Sequence, residues 1–324
     1  MLSRSCSIAA AALTLLIVPA SPRAEGDSAA LDRRQIAGHA FIPTSTSIDA
    51  PVPVSSFGLE TNLAYGTATG PFYDQDGNLV DSSRIYDVGG FGETIRFQFD
   101  VSRHLVLRGR VATSLVSGID KESALVVGTT ALAGGSLGAE WSTPLGQSAR
   151  LGLSLDLERA PQLNLMVIAA VLQALHNHFV DSASALEMDE ILTWKPGATA
   201  SWVPTPSLGL TGRVVYSDSR LHTESYGDVD RKAISLGLGA DLDLQKLWPT
   251  VPVSTNLALV DSIPLSNADS GVADVSLGVM YTGKRDVVAG LILGYQESRI
   301  RPQYPDTLRS HLTYLDVVIR IYWS

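Results

Sequence analysis

Six histidines, at positions 39, 104, 176, 178, 222 and 311, are the first places to look for chemistry. His176 and His178 are two residues apart, which on a helix sends them to different sides and does not make a shared metal site. His222 lies near Asp218, Glu224 and Asp228, and His311 lies near Asp306. These are the groupings closest to a nucleophile or acid with a histidine partner. Both sit in polar stretches, where clustered charge is ordinarily just solvated. The chain has neither a Gly-x-Ser-x-Gly elbow nor a His-Glu-x-x-His zinc signature. Asp74-Gln75-Asp76-Gly77-Asn78 starts like a calcium loop, but no acidic residue completes it at the required distance. The expectation is a protein with no catalytic residue, no metal and no cofactor, and not an enzyme.

A second set of ionisable residues says more. Glu60, Arg96, Arg108, Arg110, Asp156, Glu158, Arg213, Asp241, Asp243 and Arg320 all fall in the polar phase of segments that alternate apolar with polar or small side chains. Glu140, Asp274 and Asp316 keep the same phase. Alternation of period two is the mark of a strand with different surroundings on its two faces. It is clearest where Leu151, Leu153, Leu155 and Leu157 oppose Ser154, Asp156 and Glu158. It recurs where Ile234, Leu236, Leu238, Ala240, Leu242 and Leu244 oppose Ser235, Gly237, Gly239, Asp241 and Asp243.

Such segments are expected at 57–69, 84–100, 104–117, 131–142, 148–158, 194–203, 207–219, 231–244, 251–261, 272–282, 286–299 and 310–323. That makes about twelve strands, an even number. Short turns near 102–103, 143–146, 204–206, 247–250 and 282–286 alternate with longer polar stretches at 70–83, 118–130, 159–193, 220–230, 262–271 and 300–309. All short turns then fall on one side and all long loops on the other, as in a barrel with periplasmic turns and extracellular loops.

Alternation alone does not say which face is inside, since a soluble barrel shows the same period. Closing so many charges into a dry core would cost several kcal/mol per unpaired ion, so the polar phase is assigned to a wet lumen. Aromatic residues fall near strand ends, with Tyr65, Tyr86, Tyr216 and Tyr295 toward the loops and Trp141, Trp202, Tyr281 and Trp323 toward the turns. These are the levels of two bilayer interfaces. The apolar phase carries no charge over the strand middles, as hydrocarbon requires. The fold class is therefore all-β: an antiparallel transmembrane β-barrel of about 12 strands with one short loop helix.

Composition bounds the rest. The chain has 33 acidic against 24 basic residues, a net charge of −9, so it lacks the basic face that nucleic acid requires. Beyond the first 20 residues there is no apolar span long enough for a membrane helix. Met1 to Arg4 supply a basic start, Ile8 to Val18 an apolar stretch and Val18-Pro19-Ala20 a cleavage site, so residues 1–20 read as a signal peptide. Cys6, the single cysteine, would leave with it.

The chain resembles bacterial outer-membrane β-barrel proteins, and more loosely the porin and small-molecule transporter families related to phenol-degradation-associated and fatty-acid-transporter-like barrels. The resemblance covers the signal peptide, the run of hairpins and the last strand, Val317-Val318-Ile319-Arg320-Ile321-Tyr322-Trp323-Ser324. Barrels of that kind end on an aromatic residue read by the insertion machinery; here Ser324 follows Trp323, displacing the signal by one. The resemblance implies the cell outer membrane of a Gram-negative bacterium and passive transport.

Residues 56–324 are the barrel and 21–55 an N-terminal segment, in which Ile42-Pro43 and Ala50-Pro51-Val52-Pro53 break regular structure. That segment either enters the lumen as a plug or hangs in the periplasm. Gln162 to Phe179 changes to helical spacing, with Leu165, Ile168, Leu172, Leu175 and Phe179 on one face. Such a helix either constricts the mouth or packs as a lid on other loops. The lumen charges either oppose each other across a pore or pair and fill it; twelve strands allow both. The expected function is an outer-membrane channel or transporter for small molecules, its partners being lipid, lipopolysaccharide, the insertion machinery and a small solute. The alternatives are a non-conducting structural or adhesion barrel and, behind it, a membrane hydrolase.

Overall fold

The computed structural model describes residues 34–44, 48–73, 79–120, 126–165, 186–223, 227–265, 271–300 and 308–323. Two short strands come first, β1 (Gln35–Ile36) and β2 (His39–Ala40), joined at Ala37-Gly38, where both residues have positive φ (49° and 81°). This is the two-residue corner that a tight hairpin needs. Twelve longer strands follow: β3 (Ser55–Tyr73), β4 (Leu79–Asp100), β5 (Leu105–Asp120), β6 (Val126–Leu145), β7 (Ala149–Leu165), β8 (Leu186–Thr205), β9 (Leu208–Thr223), β10 (Gly227–Asp243), β11 (Val253–Pro264), β12 (Gly271–Tyr281), β13 (Val287–Ile300) and β14 (Leu308–Trp323). They form one closed antiparallel barrel in sequence order, and β14 closes on β3 with Trp323 opposite Ser55. Closure leaves no strand edge unpaired, which is what lets a sheet sit in hydrocarbon.

The two phases separate as the alternation requires, with one departure: Glu93 at the middle of β4 is exposed in the outward phase between Phe91 and Ile95, where no charge was expected. Leu153, Leu155, Leu157, Leu236, Leu257, Leu277, Leu291 and Val317 are exposed on the outside, and Leu238 is 64% exposed. Ser154, Glu140, Asp241, Asp316 and Arg320 are buried on the inside. An apolar outer belt around a charged interior is stable in a bilayer and not in water. Rings mark its borders: Trp194 packs edge-on against Tyr216 and Tyr295 stacks on His311 toward the loops, while His104 stacks on Trp141 and Phe99 meets Trp323 toward the turns. Tyr86 departs from the expectation. It alternates with the exposed Ile85 and so points inward rather than to the interface.

The strands also run further on the loop side than the apolar pattern suggested. They are 11 to 22 residues long, whereas about 9–11 suffice to cross a bilayer. Ladder hydrogen bonds hold past the hydrocarbon: Gly227 still pairs with Thr223, and the exposed Arg220 and Asp230 sit 3.6 Å apart. The same extension corrects the start of the expected loop helix. Leu165 belongs to β7, opposite Thr129 and Leu186, so the helical spacing does not begin at Gln162. Ile168, Leu172, Leu175 and Phe179 lie outside the described residues. A one-turn helix that the alternation did not reveal, α1 (Leu244–Leu247), fills the β10–β11 turn, its first turn capped by the Asp243 carboxylate accepting from the Gln245 amide at 3.0 Å.

Candidate functional site

The inward side chains of β3 to β9 form a lattice of ion pairs. Arg108 on β5 is gripped from two neighbouring strands, by Glu140 on β6 at 2.6 Å and Asp156 on β7 at 2.5 Å. Arg110, two residues further along β5, reaches Glu158 at 3.1 Å, and Lys195 on β8 reaches the same carboxylate at 2.6 Å. Arg213 on β9 stands 3.8 Å from Asp156. On the other side of β5, Arg96 pairs with Glu60 at 2.8 Å, and Arg320 on β14 stands 3.7 Å from Glu60. Period two puts these residues on one face; Lys195 lies directly opposite Asp156, Arg108 and Arg110 line up with Asp156 and Glu158 across Gly138 and Ser136 of β6, and Arg96 lies opposite Arg110. A cavity of about 470 Å³ opens against this wall, and beyond Lys195 its lining continues through Ser217 and Ser219 of β9 to Ser235 of β10 and Ser262 of β11.

The described residues ahead of the barrel, 34–44 and 48–54, lie inside it, toward the turns. Ile42 and Val54 are buried against Met280, Val288, Ile292, Val318 and Tyr322, an apolar patch on the inner faces of β12 to β14. Polar anchors fix the backbone. Asn256 donates to the Pro43 carbonyl at 2.8 Å, and Gln98 donates to the carbonyls of Val52 and Val54 at 3.0 and 2.8 Å. Arg34 donates to the Arg285 carbonyl at 3.0 Å and lies 4.3 Å over the Tyr322 ring. Wall glycines make room. A Cβ on Gly152 would fall 2.5 Å from Pro51, one on Gly209 2.5 Å from the His39 ring, and one on Gly237 2.9 Å from Ile48. Contacts of that length are impossible for a real side chain, so here glycine is a packing requirement.

Two ionisable groups of this segment face the lumen. Asp49 meets Arg320 at 3.4 Å. Burial alone would raise its carboxyl, but Arg320, with Arg96 and Arg213 further off and the Thr44 amide, outweighs burial and holds it below the ordinary carboxylate value. His39 is fully buried, packs edge-on against Phe41 and donates from Nδ1 to the Pro206 carbonyl at 3.2 Å. Burial pushes its imidazole below the ordinary value, against that hydrogen bond and Asp243, which favour the charged form.

Of the ten residues assigned to the lumen, Arg96, Arg108, Arg110, Asp156, Glu158, Arg213 and Arg320 border the cavity. Glu60 supports two of them from behind. Asp241 and Asp243 point inward but do not border it: they are buried at the turn end, where Asp243 caps α1. Sequence reasoning left out Lys195, whose phase opposite Trp194 marks it as inward, and Asp49, which no periodicity could find. Among the histidines, His311 shares a 2.8 Å hydrogen bond with Tyr295, and His222 is exposed at the rim opposite Asp228 and Glu190. Among the described residues no cluster of histidines, cysteines or carboxylates is arranged to hold a metal ion.

Neither a protein-family model nor a curated protein sequence matches this chain. Solved structures do. The translocator domain of the autotransporter NalP from Neisseria meningitidis aligns over 86% of this chain and 91% of its own, with a TM-score of 0.50 at 11% identity. The transport unit of the autotransporter AIDA-I from Escherichia coli aligns over 89% and 95%, with a TM-score of 0.49 at 10% identity. The toluene transporter TodX from Pseudomonas putida aligns over 90% and 97%, with a TM-score of 0.45 at 9% identity. The chain has the fold of bacterial outer-membrane β-barrels.

Proposed function

We propose that this protein is an outer-membrane channel for passive passage of small molecules, its turn-side mouth closed by residues 34–54 acting as a plug. The observation that carries the reading is the join between two unlike interiors. A polar, charged cavity occupies the middle of the barrel, and below it an apolar patch on the wall is covered by the N-terminal segment. A lumen built only to be filled would carry that patch through its own side chains and would not need wall glycines shaped to a separate segment. The reading also takes the connection between β7 and β8, with Ile168, Leu172, Leu175 and Phe179, as a second constriction at the outer mouth. Lipid covers the outer belt, lipopolysaccharide meets the acidic loops, and the aromatic end of β14 addresses the insertion machinery.

The ion-pair lattice favours a second reading, a non-conducting barrel whose charges serve as a polar core. Planar-bilayer conductance separates the two. Residues 21–324 and residues 55–324 are refolded, with folding checked by heat-dependent gel mobility. The channel reading expects larger steps from the shorter chain; silence from both folded barrels supports the filled barrel.

A further inference from the structure

The cavity has a charge of its own, opposite in sign to that of the chain. Six basic side chains but four carboxylates border it, in a protein whose net charge is −9. The excess can be placed. Arg96 and Arg320 are balanced by Glu60 and Asp49. On the β5–β9 wall, Arg108, Arg110, Lys195 and Arg213 share Glu140, Asp156 and Glu158. Arg108 takes Glu140 and the nearer share of Asp156. Arg110 and Lys195 divide one carboxylate, and each side chain is still 33% exposed to the cavity. A second carboxylate brought here would meet both in the geometry of charge-assisted hydrogen bonds. Beside Lys195 the lining continues through Ser217 and Ser219 of β9 to Ser235 and Ser262; Ser219 accepts from Thr193, Ser217 donates to the Ala233 carbonyl and Ser235 donates to Ser262, which leaves their oxygens lone pairs for a solute hydroxyl.

We propose that Arg110 and Lys195, with the serines of β9 to β11 beside them, form a binding site for a small hydroxylated carboxylate. The cationic pair takes the carboxylate and the serines take the hydroxyls. Passage of that solute rests on the channel reading above; occupancy of the site does not.

The test uses gluconate as probe, with glucose and glucosamine as neutral and cationic controls, titrated by ligand-detected NMR against refolded residues 21–324 in micelles. Gluconate is expected to bind, the controls far more weakly, and Lys195→Gln and Arg110→Gln each to weaken it about tenfold. Arg220→Gln, which touches only the rim, keeps wild-type binding. Each variant is first shown to be folded by heat-dependent gel mobility. Gluconate binding no tighter than glucose, or binding indifferent to both cavity variants, overturns the site. Gluconate binding by a chain that is silent in bilayers keeps the site and defeats the channel. Conductance that favours cations, without gluconate binding, keeps the channel and defeats the site.

Discussion

At the scale of single residues, the lumen is held by charges whose worth depends on how far water reaches them. Arg108 sits between Glu140 and Asp156, whose side chains are 8% and 15% exposed. Arg108→Met would leave two carboxylates facing each other with little solvent. It is expected to cost about 2 kcal/mol or more in urea unfolding from lipid vesicles. Arg220→Met removes an ion pair of similar type whose partners are mostly exposed, and should cost less than about 0.5 kcal/mol. Equal costs for the two would show that the lumen pairs are as well hydrated as the rim. The phase of these residues was legible in the sequence, because hydrocarbon keeps most charge off the outward face, Glu93 on β4 being an exception. Their partnership was not. Strand phase places Arg96, Arg108 and Arg110 on one wall, but only the folded barrel shows that each has an acid within reach, Glu60 for Arg96, Glu140 and Asp156 for Arg108 and Glu158 for Arg110, instead of an acidic wall across a pore.

At the scale of elements, the segment before β3 is the one whose placement sequence reasoning left open. From Pro43 on its prolines interrupt regular structure and carry no period, so nothing local distinguishes a docked strap from a loose tail. The signal that could have told them apart lies in the wall, in glycines at inward positions of β7, β9 and β10. Gly152→Val and Gly237→Val fill the hollows that hold Pro51 and Ile48. They are expected to raise open probability in bilayers while leaving the outer wall and its heat-dependent mobility intact.

Docking should also respond to acid. The buried His39 has its pKa below the ordinary 6.5, so the undocked segment binds the proton more readily. Docking is then complete above 6.5 and weakens as pH falls below it. Asp49, held below its ordinary 3.8, stays charged throughout that range. Open probability should rise between about pH 7 and pH 5, and His39→Gln should abolish that dependence; an unchanged profile in the variant would remove His39 from the account. The helix α1 was illegible for a different reason: four residues give no period, and its cap, Asp243, was already claimed by the alternation of β10.

At the scale of the molecule, the barrel is a sheet turned to face lipid. Fold class, strand number and the side of every turn follow from alternation and loop lengths, because closing a sheet in a bilayer leaves few other solutions. Strand ends were misjudged because pairing outlasts the apolar belt. Leu238→Arg, at a well-exposed part of that belt, should reduce folding into vesicles by about 2–4 kcal/mol, against about 0–1 for a rim position. The central claim, that the barrel conducts when residues 34–54 leave its lumen, is tested most directly by a reversible lock. Residues 21–324 contain no cysteine, and Gly237 faces Ile48 closely enough for a disulfide to replace their contact. The measurement is single-channel conductance of the Ile48→Cys, Gly237→Cys protein before and after reduction. The oxidised barrel is expected to stay closed and to begin conducting when the disulfide is reduced; the same conductance in both states would show that residues 34–54 do not close the pore.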